Sequence, residues 1–215
     1  MKILAFSDLH LSRPRAGDLV AAAQTVDLVI GAGDFCVMRE GLARAMEMLA
    51  GISCPVVAVP GNAESAAELT AAAPPHWHVL HGQGVEIGGL RLFGLGYAVP
   101  VTPFGDWSCD LTEAQAAQML DRCRAADVLV THSPPLGIAD RTSQGLSVGS
   151  EAIRAAIARL QPALALCGHI HDSWGEEGRI GRTRVVNLGP APRRFEVAPR
   201  IAAEKPAGNP DGKED

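Results

Sequence analysis

Several things that this chain lacks narrow its chemistry before any motif is read. It has no surplus of positive charge: 19 lysines and arginines stand against 24 aspartates and glutamates, for a net charge of −5. That argues against a protein that grips nucleic acid through phosphate contacts. It leaves room for a phosphorylated substrate, because bound cations reverse the local field. Paired cysteines at metal or redox spacing are missing too. Cys36, Cys54, Cys109, Cys123 and Cys167 are scattered, odd in number and free of any C-x-x-C spacing, which predicts reduced thiols instead of a disulfide framework. No apolar run reaches the length of a membrane span, and no signal-type leader precedes the strand expected at Lys2 to Phe6, so the expected location is the cytoplasm. A dinucleotide fingerprint fails because Cys36 stands where its third glycine is needed. There are no internal repeats.

What is present fits one globular domain. The 215 residues are 47% hydrophobic and 20% charged, enough for a sizeable core. Short apolar runs at 2–6, 27–30, 55–59, 127–130 and 163–166 have the length of buried parallel strands. Helical spacing falls between them, at about 17–25, around Leu42 to Leu49, at 64–72, at 111–122 with Thr112 as N-cap, and at 150–160. Glycine-punctuated strands are expected at 85–87 and 90–95 around a Gly88-Gly89 turn, and again at 178–180 and 183–186. The domain is expected to span 1–199, with a disordered tail at 200–215 rich in Pro, Gly, Glu and Lys.

The chemistry gathers where those strands end. Cys167-Gly168-His169-Ile170-His171 closes one strand, with two imidazoles two residues apart and therefore on one side. Gly168 clears space for a close approach to the backbone. Asp8 and His10 end the first strand, Asp34 the second, Asn62 the third and His132 a later one. Strand ends of one sheet lie along one edge, where open α/β sheets bind ligands. Two carboxylates gathered in a dry cleft cost several kcal/mol per ion unless a counter-charge is present. Divalent cations supply it, and seven ligand groups exceed the needs of one metal, so two ions sharing a bridging carboxylate is the economical arrangement. An oxygen and nitrogen set without thiolate suits Mn, Fe, Zn, Co or Ni.

Asp8-Leu9-His10, Gly33-Asp34, Gly61-Asn62, Thr131-His132 and Gly168-His169-Ile170-His171 resemble, in order, the motifs of the calcineurin-like metallophosphoesterases. Asn187-Leu188-Gly189 resembles the late Asn-x-Gly turn of the smaller bacterial members. The resemblance covers nearly the whole chain and implies a four-layer α/β/β/α sandwich with a dinuclear site that hydrolyses phosphate esters. It implies that Asp8, His10, Asp34 and His171 hold one metal, and that Asp34, Asn62, His132 and His169 hold the second. One departure stands out. Most members continue the third motif as Asn-His-Asp or Asn-His-Glu, whereas this chain has Asn62-Ala63-Glu64. The histidine usually assigned to phosphate contact and leaving-group protonation is absent, which favours diesters with good leaving groups.

Other candidates carry less. The loops 97–109 and 136–149 are long for this domain and are expected to form a substrate rim, with Trp107 and Arg141 as contacts. Arg13 and Arg15 are read as solvated loop residues. His76, His78 and His81 are read as exposed or edge-strand residues. The competing readings are an interaction protein on the same fold, as in the retromer scaffold subunit, and a nuclease. The full ligand set opposes the first, and the chain's length and acidity oppose the second. A small phosphate ester is the expected partner; oligomeric state is not legible.

Overall fold

A computed structural model describes residues 1–198; the tail expected at 200–215 lies outside the described residues. In chain order the elements are β1 (Lys2–Phe6), α1 (Arg13–Ala23), β2 (Leu28–Gly31), α2 (Leu42–Leu49), β3 (Val56–Ala58), α3 (Ala66–Ala72), β4 (Trp77–Val79), β5 (Gln83–Ile87) and β6 (Leu90–Leu95). There follow α4 (Glu113–Leu120), β7 (Val128–Thr131), α5 (Glu151–Leu160), β8 (Leu164–Cys167), a 3-10 turn at His171–Ser173, β9 (Glu177–Ile180), β10 (Thr183–Asn187) and β11 (Arg193–Glu196).

Two sheets form. One has the order β11-β1-β2-β3-β4, the other β5-β6-β7-β8-β10-β9. The strands β1 to β4 run parallel, and β11 lies antiparallel to β1. In the second sheet β6, β7, β8 and β10 are parallel, edged by antiparallel β5 and β9.

Side-chain alternation explains the layering. Ile3 and Ala5 of β1, Ile30 of β2, Val128 and Val130 of β7, and Leu166 of β8 share one buried cluster between the sheets. Their neighbours face outward: Leu4, Phe6 and Val29 pack with Leu19, Met46 and Leu69 of the helices α1 to α3. On the other side Leu129 and Ala165 pack with Leu120 of α4 and Ile153 and Ile157 of α5. Strands buried on both faces are continuously apolar, as parallel sheets require. The expected four-layer α/β/β/α sandwich is what forms.

Some boundaries differ. Helix α1 begins at Arg13 with Pro14 in its first turn, where a missing N–H costs nothing. Arg13 and Arg15 are therefore helical instead of loop residues, and Arg15 lies 3.5 Å from Asp18. Helix α3 starts at Ala66 behind a Ser65–Glu68 capping box, leaving Glu64 outside it. β11 was not expected. Among the described residues no helix is long and apolar enough to cross a membrane.

Candidate functional site

The ends of β1, β2, β3, β7 and β8 deliver the expected ligand residues to one edge of the sandwich. The backbone is bent hard to do so. Asp8, His10, Asp34 and His169 all have positive φ, at 53°, 44°, 57° and 67°. For side-chain-bearing residues that conformation costs on the order of 1–3 kcal/mol each and gathers at functional sites. Glycine makes room beside them. A Cβ on Gly33 would stand 2.6 Å from His132 Nδ1 and from the Gly61 backbone, and one on Gly168 would stand 2.5 Å from Asp8 Oδ2. The close approach expected at Gly168 is thus to the Ser7 side chain and the Asp8 carboxylate together.

Two groups of donors result. Ligand atoms of Asp8, His10 and His171 lie within 4.8 Å of one another, as do those of Asp8, Asp34 and His132. Asp34 sits between the halves: Oδ2 is 3.6 Å from His10 Nε2 and Oδ1 is 3.5 Å from His132 Nε2. His171 Nε2 is 3.7 Å from Asp8 Oδ1. Asn62 Oδ1 is 3.0 Å from His132 Nε2, and the His169 ring lies 4.9 Å from the His132 ring. All seven residues come together.

Surrounding bonds fix how each group points. His10 Nδ1 and His132 Nδ1 lie 3.0 and 2.8 Å from the carbonyls of Cys36 and Ala32. A carbonyl only accepts, so each Nδ1 carries the proton and each Nε2 turns inward, the arrangement seen at metal-binding histidines. His10 Nε2 then faces His171 Nε2 at 3.3 Å, a contact between ring nitrogens that needs a proton or a cation between them. Asn62 Nδ2 donates to Ser108 Oγ at 3.1 Å, and Ser108 Oγ donates to Asp110 Oδ1 at 2.6 Å; the amide is thereby oriented with its oxygen toward His132. Asp8 Oδ2 accepts from Ser7 Oγ at 2.5 Å and from Trp174 Nε1 at 3.0 Å. Buried Asn187 donates from Nδ2 to the carbonyls of Ala139, Gly168 and Ile170, tying the His169–His171 turn down.

The electrostatics ask for positive charge. Burial raises the Asp8 carboxyl, but the bond with His171 and the charge of His132 outweigh it and hold the group below its usual range. Asp34 is likewise burdened by burial, yet His132 and His10 hold it well below the ordinary carboxylate range. Burial opposes a charge on His132, and Asp34 and Asp8 overcome that, pushing it up to about 9. Burial and the neighbouring His132 push His169 down to about 4.

Three contributors were not singled out from the sequence. Glu64 is fully buried and accepts backbone N–H bonds from Gly61, Asp34, Phe35 and Cys36 at 2.7, 2.8, 3.1 and 3.3 Å. Its acid after Gly61-Asn62-Ala63 was the available signal. Trp174 also lies against His171, with centroids 4.3 Å apart and the ring planes tilted by 33°, and Ser108 has no local signature. Of the rim candidates, Trp107 lines the cleft together with Phe104, while on the other loop Thr142 lines it. Arg141 donates its N–H to Ser173 Oγ. His78 is exposed on edge strand β4, and His81 accepts from Gly96 N–H and lies against Tyr97. None of His76, His78 and His81 lines the cleft.

Comparison with known proteins agrees with this geometry. Human Metallophosphoesterase domain-containing protein 1 is 32% identical over 130 residues, 57% of this chain and 38% of that protein. The Caenorhabditis elegans UPF0046 protein T07D4.2 is 36% identical over 93 residues, 40% of this chain and 23% of that protein. The matched stretches thus span well under half the length of these relatives. Among solved structures, TT1561 of Thermus thermophilus matches with a TM-score of 0.68 and 19% identity over 87% of this chain and 88% of that one, a likeness of fold. A sequence profile described as the calcineurin-like phosphoesterase superfamily domain matches residues 1–203, and the chain belongs to that superfamily.

Proposed function

We propose that the protein hydrolyses small phosphate esters, diesters ahead of monoesters, at a centre holding two metal ions. The observation that carries this is the convergence of seven donors from five strand ends on a strained backbone. Asp8, His10, Asp34 and His171 would hold one ion and Asp34, Asn62, His132 and His169 the other, with Asp34 shared. The donors fit the ions: two buried carboxylates attract positive charge strongly enough to raise His132, and inward-facing ring nitrogens meet at 3.3 Å. Oxygen and nitrogen ligation favours Mn, Fe, Zn, Ni or Co. Bound there, such ions lower the pKa of a coordinated water toward about 7 and draw charge from phosphoryl oxygens.

The chain's own part is positional. Asn62 offers a carbonyl oxygen that ligates without adding charge, held in place by Ser108. Buried His132, with Nδ1 tied to Ala32, cannot rotate away. Ala63 brings no proton to a leaving oxygen, so esters whose leaving group needs little protonation are favoured. The strain carried by four left-handed ligand residues is the kind that gathers at functional sites. Five unpaired cysteines accord with a reducing compartment.

Metal-depleted protein reconstituted in turn with Mn, Fe, Zn, Ni or Co and assayed on matched mono- and diesters tests this. We expect at least one ion to restore turnover, with two equivalents bound and diesters preferred. Two bound equivalents with no ester turned over would return the protein to the interaction reading.

A further inference from the structure

One wall of the cleft is aromatic. Phe104 and Trp107 both line it beside Asp34, Asn62 and His169. Their rings are parallel, with centroids 5.7 Å apart and planes 5° apart, and the Phe104 ring stands edge-on to His169 at 6.4 Å. Phe104 keeps 49% of its surface exposed, whereas Phe6, Phe35, Phe93, Phe195 and Trp77 are all buried. A half-exposed ring beside carboxylates and imidazoles adds little to the core. The loop carrying it is nonetheless anchored. Thr102 donates to Asp110 Oδ2 through N–H and Oγ1 at 2.8 and 2.9 Å, and Cys109 N–H donates to the Asn62 carbonyl at 3.0 Å. An anchored, solvent-facing pair of parallel rings is a preorganised surface for a third flat ring.

The remaining lining limits charge. Among the described residues that line the cleft there is no lysine or arginine, and Asp172 adds a carboxylate whose Oδ2 accepts the Ser143 N–H at 2.7 Å. A cleft of about 310 Å³ admits a small ester. Phosphate charge beyond what the two ions neutralise meets no side-chain cation there, only further carboxylate.

We infer that Phe104 and Trp107 select singly charged phosphodiesters bearing a flat aromatic substituent, which stacks on this platform while the phosphoryl group sits at the metal centre. This rests on the phosphoesterase reading and narrows it to a substrate class. One consequence is that chains of two or more phosphates are poor ligands, whatever organic group they carry.

Analogues with no ester bond separate this inference from turnover, because an aryl diester is itself a substrate under the proposed reading. Benzyl(methyl)phosphinate and (cyclohexylmethyl)(methyl)phosphinate have equal charge and similar bulk but differ in flatness; benzylphosphonate adds a charge to the first. Dissociation constants on metal-reconstituted protein, by titration calorimetry, should rank the benzyl phosphinate about 3- to 10-fold tighter than the cyclohexylmethyl one, the span of one stacking contact. Benzylphosphonate should bind no tighter than the benzyl phosphinate. Trp107→Ala and Phe104→Ala should each reduce the benzyl preference, and the double variant should remove it, with metal content unchanged. Equal affinity for the two rings in wild type would overturn the inference, as would a preference that survives the double variant or tighter binding of benzylphosphonate. Failure of every ester to turn over would count against the phosphoesterase reading and leave the ring preference standing on its own measurement.

Discussion

Replacing Glu64 with glutamine asks whether the site is held together from beneath. Four backbone N–H groups from two loops point at this one fully buried carboxylate, Gly61 and Asp34 at Oε1 and Phe35 and Cys36 at Oε2. Glutamine keeps the shape but turns one oxygen into an NH₂ group. Whichever way the amide faces, two of the four donors meet another donor. Each buried donor left unpaired costs about 1–3 kcal/mol, so Glu64→Gln should destabilise by about 2–6 kcal/mol. For a chain of this size each kcal/mol is worth ~2–4 °C, and the expected fall in Tm is roughly 4–24 °C. Burial and the charge of Asp34 push Glu64 up to about 7, which brings the cost toward the lower end. Asp34, with φ of 57°, is released along with the loop, so bound metal should fall as well. Circular dichroism melts and elemental analysis of the same preparations measure both quantities. A Tm within ~2 °C of wild type together with full metal content would refute the reasoning.

Asp34→Asn should lose at least one metal equivalent and abolish turnover, because both of its oxygens are proposed to ligate; two retained ions and a near-normal rate would rule out the shared-carboxylate arrangement. Ser108→Ala frees the Asn62 amide to turn, and loss of such a support typically costs ~10–100-fold in metal affinity; competition with a chelator measures it, and Ser108→Thr should restore the affinity if the hydroxyl is what matters. Arg39 forms a two-pronged pair with Glu68, with bonds of 2.8 and 2.7 Å, and holds that carboxyl down at about 2 against an ordinary 4.5. The stabilisation is therefore present above pH 4.5 and disappears as pH falls toward 2. Solvent exposure of both side chains limits it to about 1 kcal/mol or less, and a double-mutant cycle with Arg39→Ala and Glu68→Ala at pH 7 and pH 3 should show coupling that is weaker, though not abolished, at the lower pH.

The site was legible because each ligand follows an apolar run, and a parallel strand buried on both faces is the simplest pattern to see. Nothing in that pattern depends on distant contacts. What escaped was made by the tertiary structure. β11, with Arg193, Arg194 and Glu196 around a single buried Phe195, has no strand-like run and exists through its pairing with β1. Pro14 reads as a loop signal, yet at a first turn it suits a helix. Glu64 looks like an ordinary helix-opening acid until the loops of β2 and β3 close around it. In the irregular segment 136–149 no period tells which neighbour faces inward, and Thr142 lines the cleft where Arg141 was expected.

Position 63 carries the last question, and the structure changes how it must be asked. The loss of a histidine there suggests vacant space beside the phosphate, yet Ala63 is buried, at 2% exposure. Its N–H donates to Asp34 Oδ1 at 2.8 Å, its carbonyl accepts from Arg39 N–H at 2.8 Å, and Cys109 N–H reaches over to Asn62. The segment is already closed, so the proposed preference for diesters rests on the missing acid and not on added room. His171, half-exposed at the cleft, is engaged with Asp8 and Trp174, and Asp172 is held by Ser143. Among the described residues lining the cleft, no imidazole outside the proposed ligand set stands ready to protonate a leaving alkoxide. Ala63→His should accordingly behave as an overpacked core variant, destabilised by about 1–3 kcal/mol, without the ~10²- to 10⁴-fold gain on alkyl monoesters that a positioned acid would give. Thermal melts alongside kcat on an alkyl monoester and a matched aryl diester test the two halves together. A gain of that size with an unchanged Tm would mean that position 63 does open toward the phosphate, and that the alanine alone had withheld the acid.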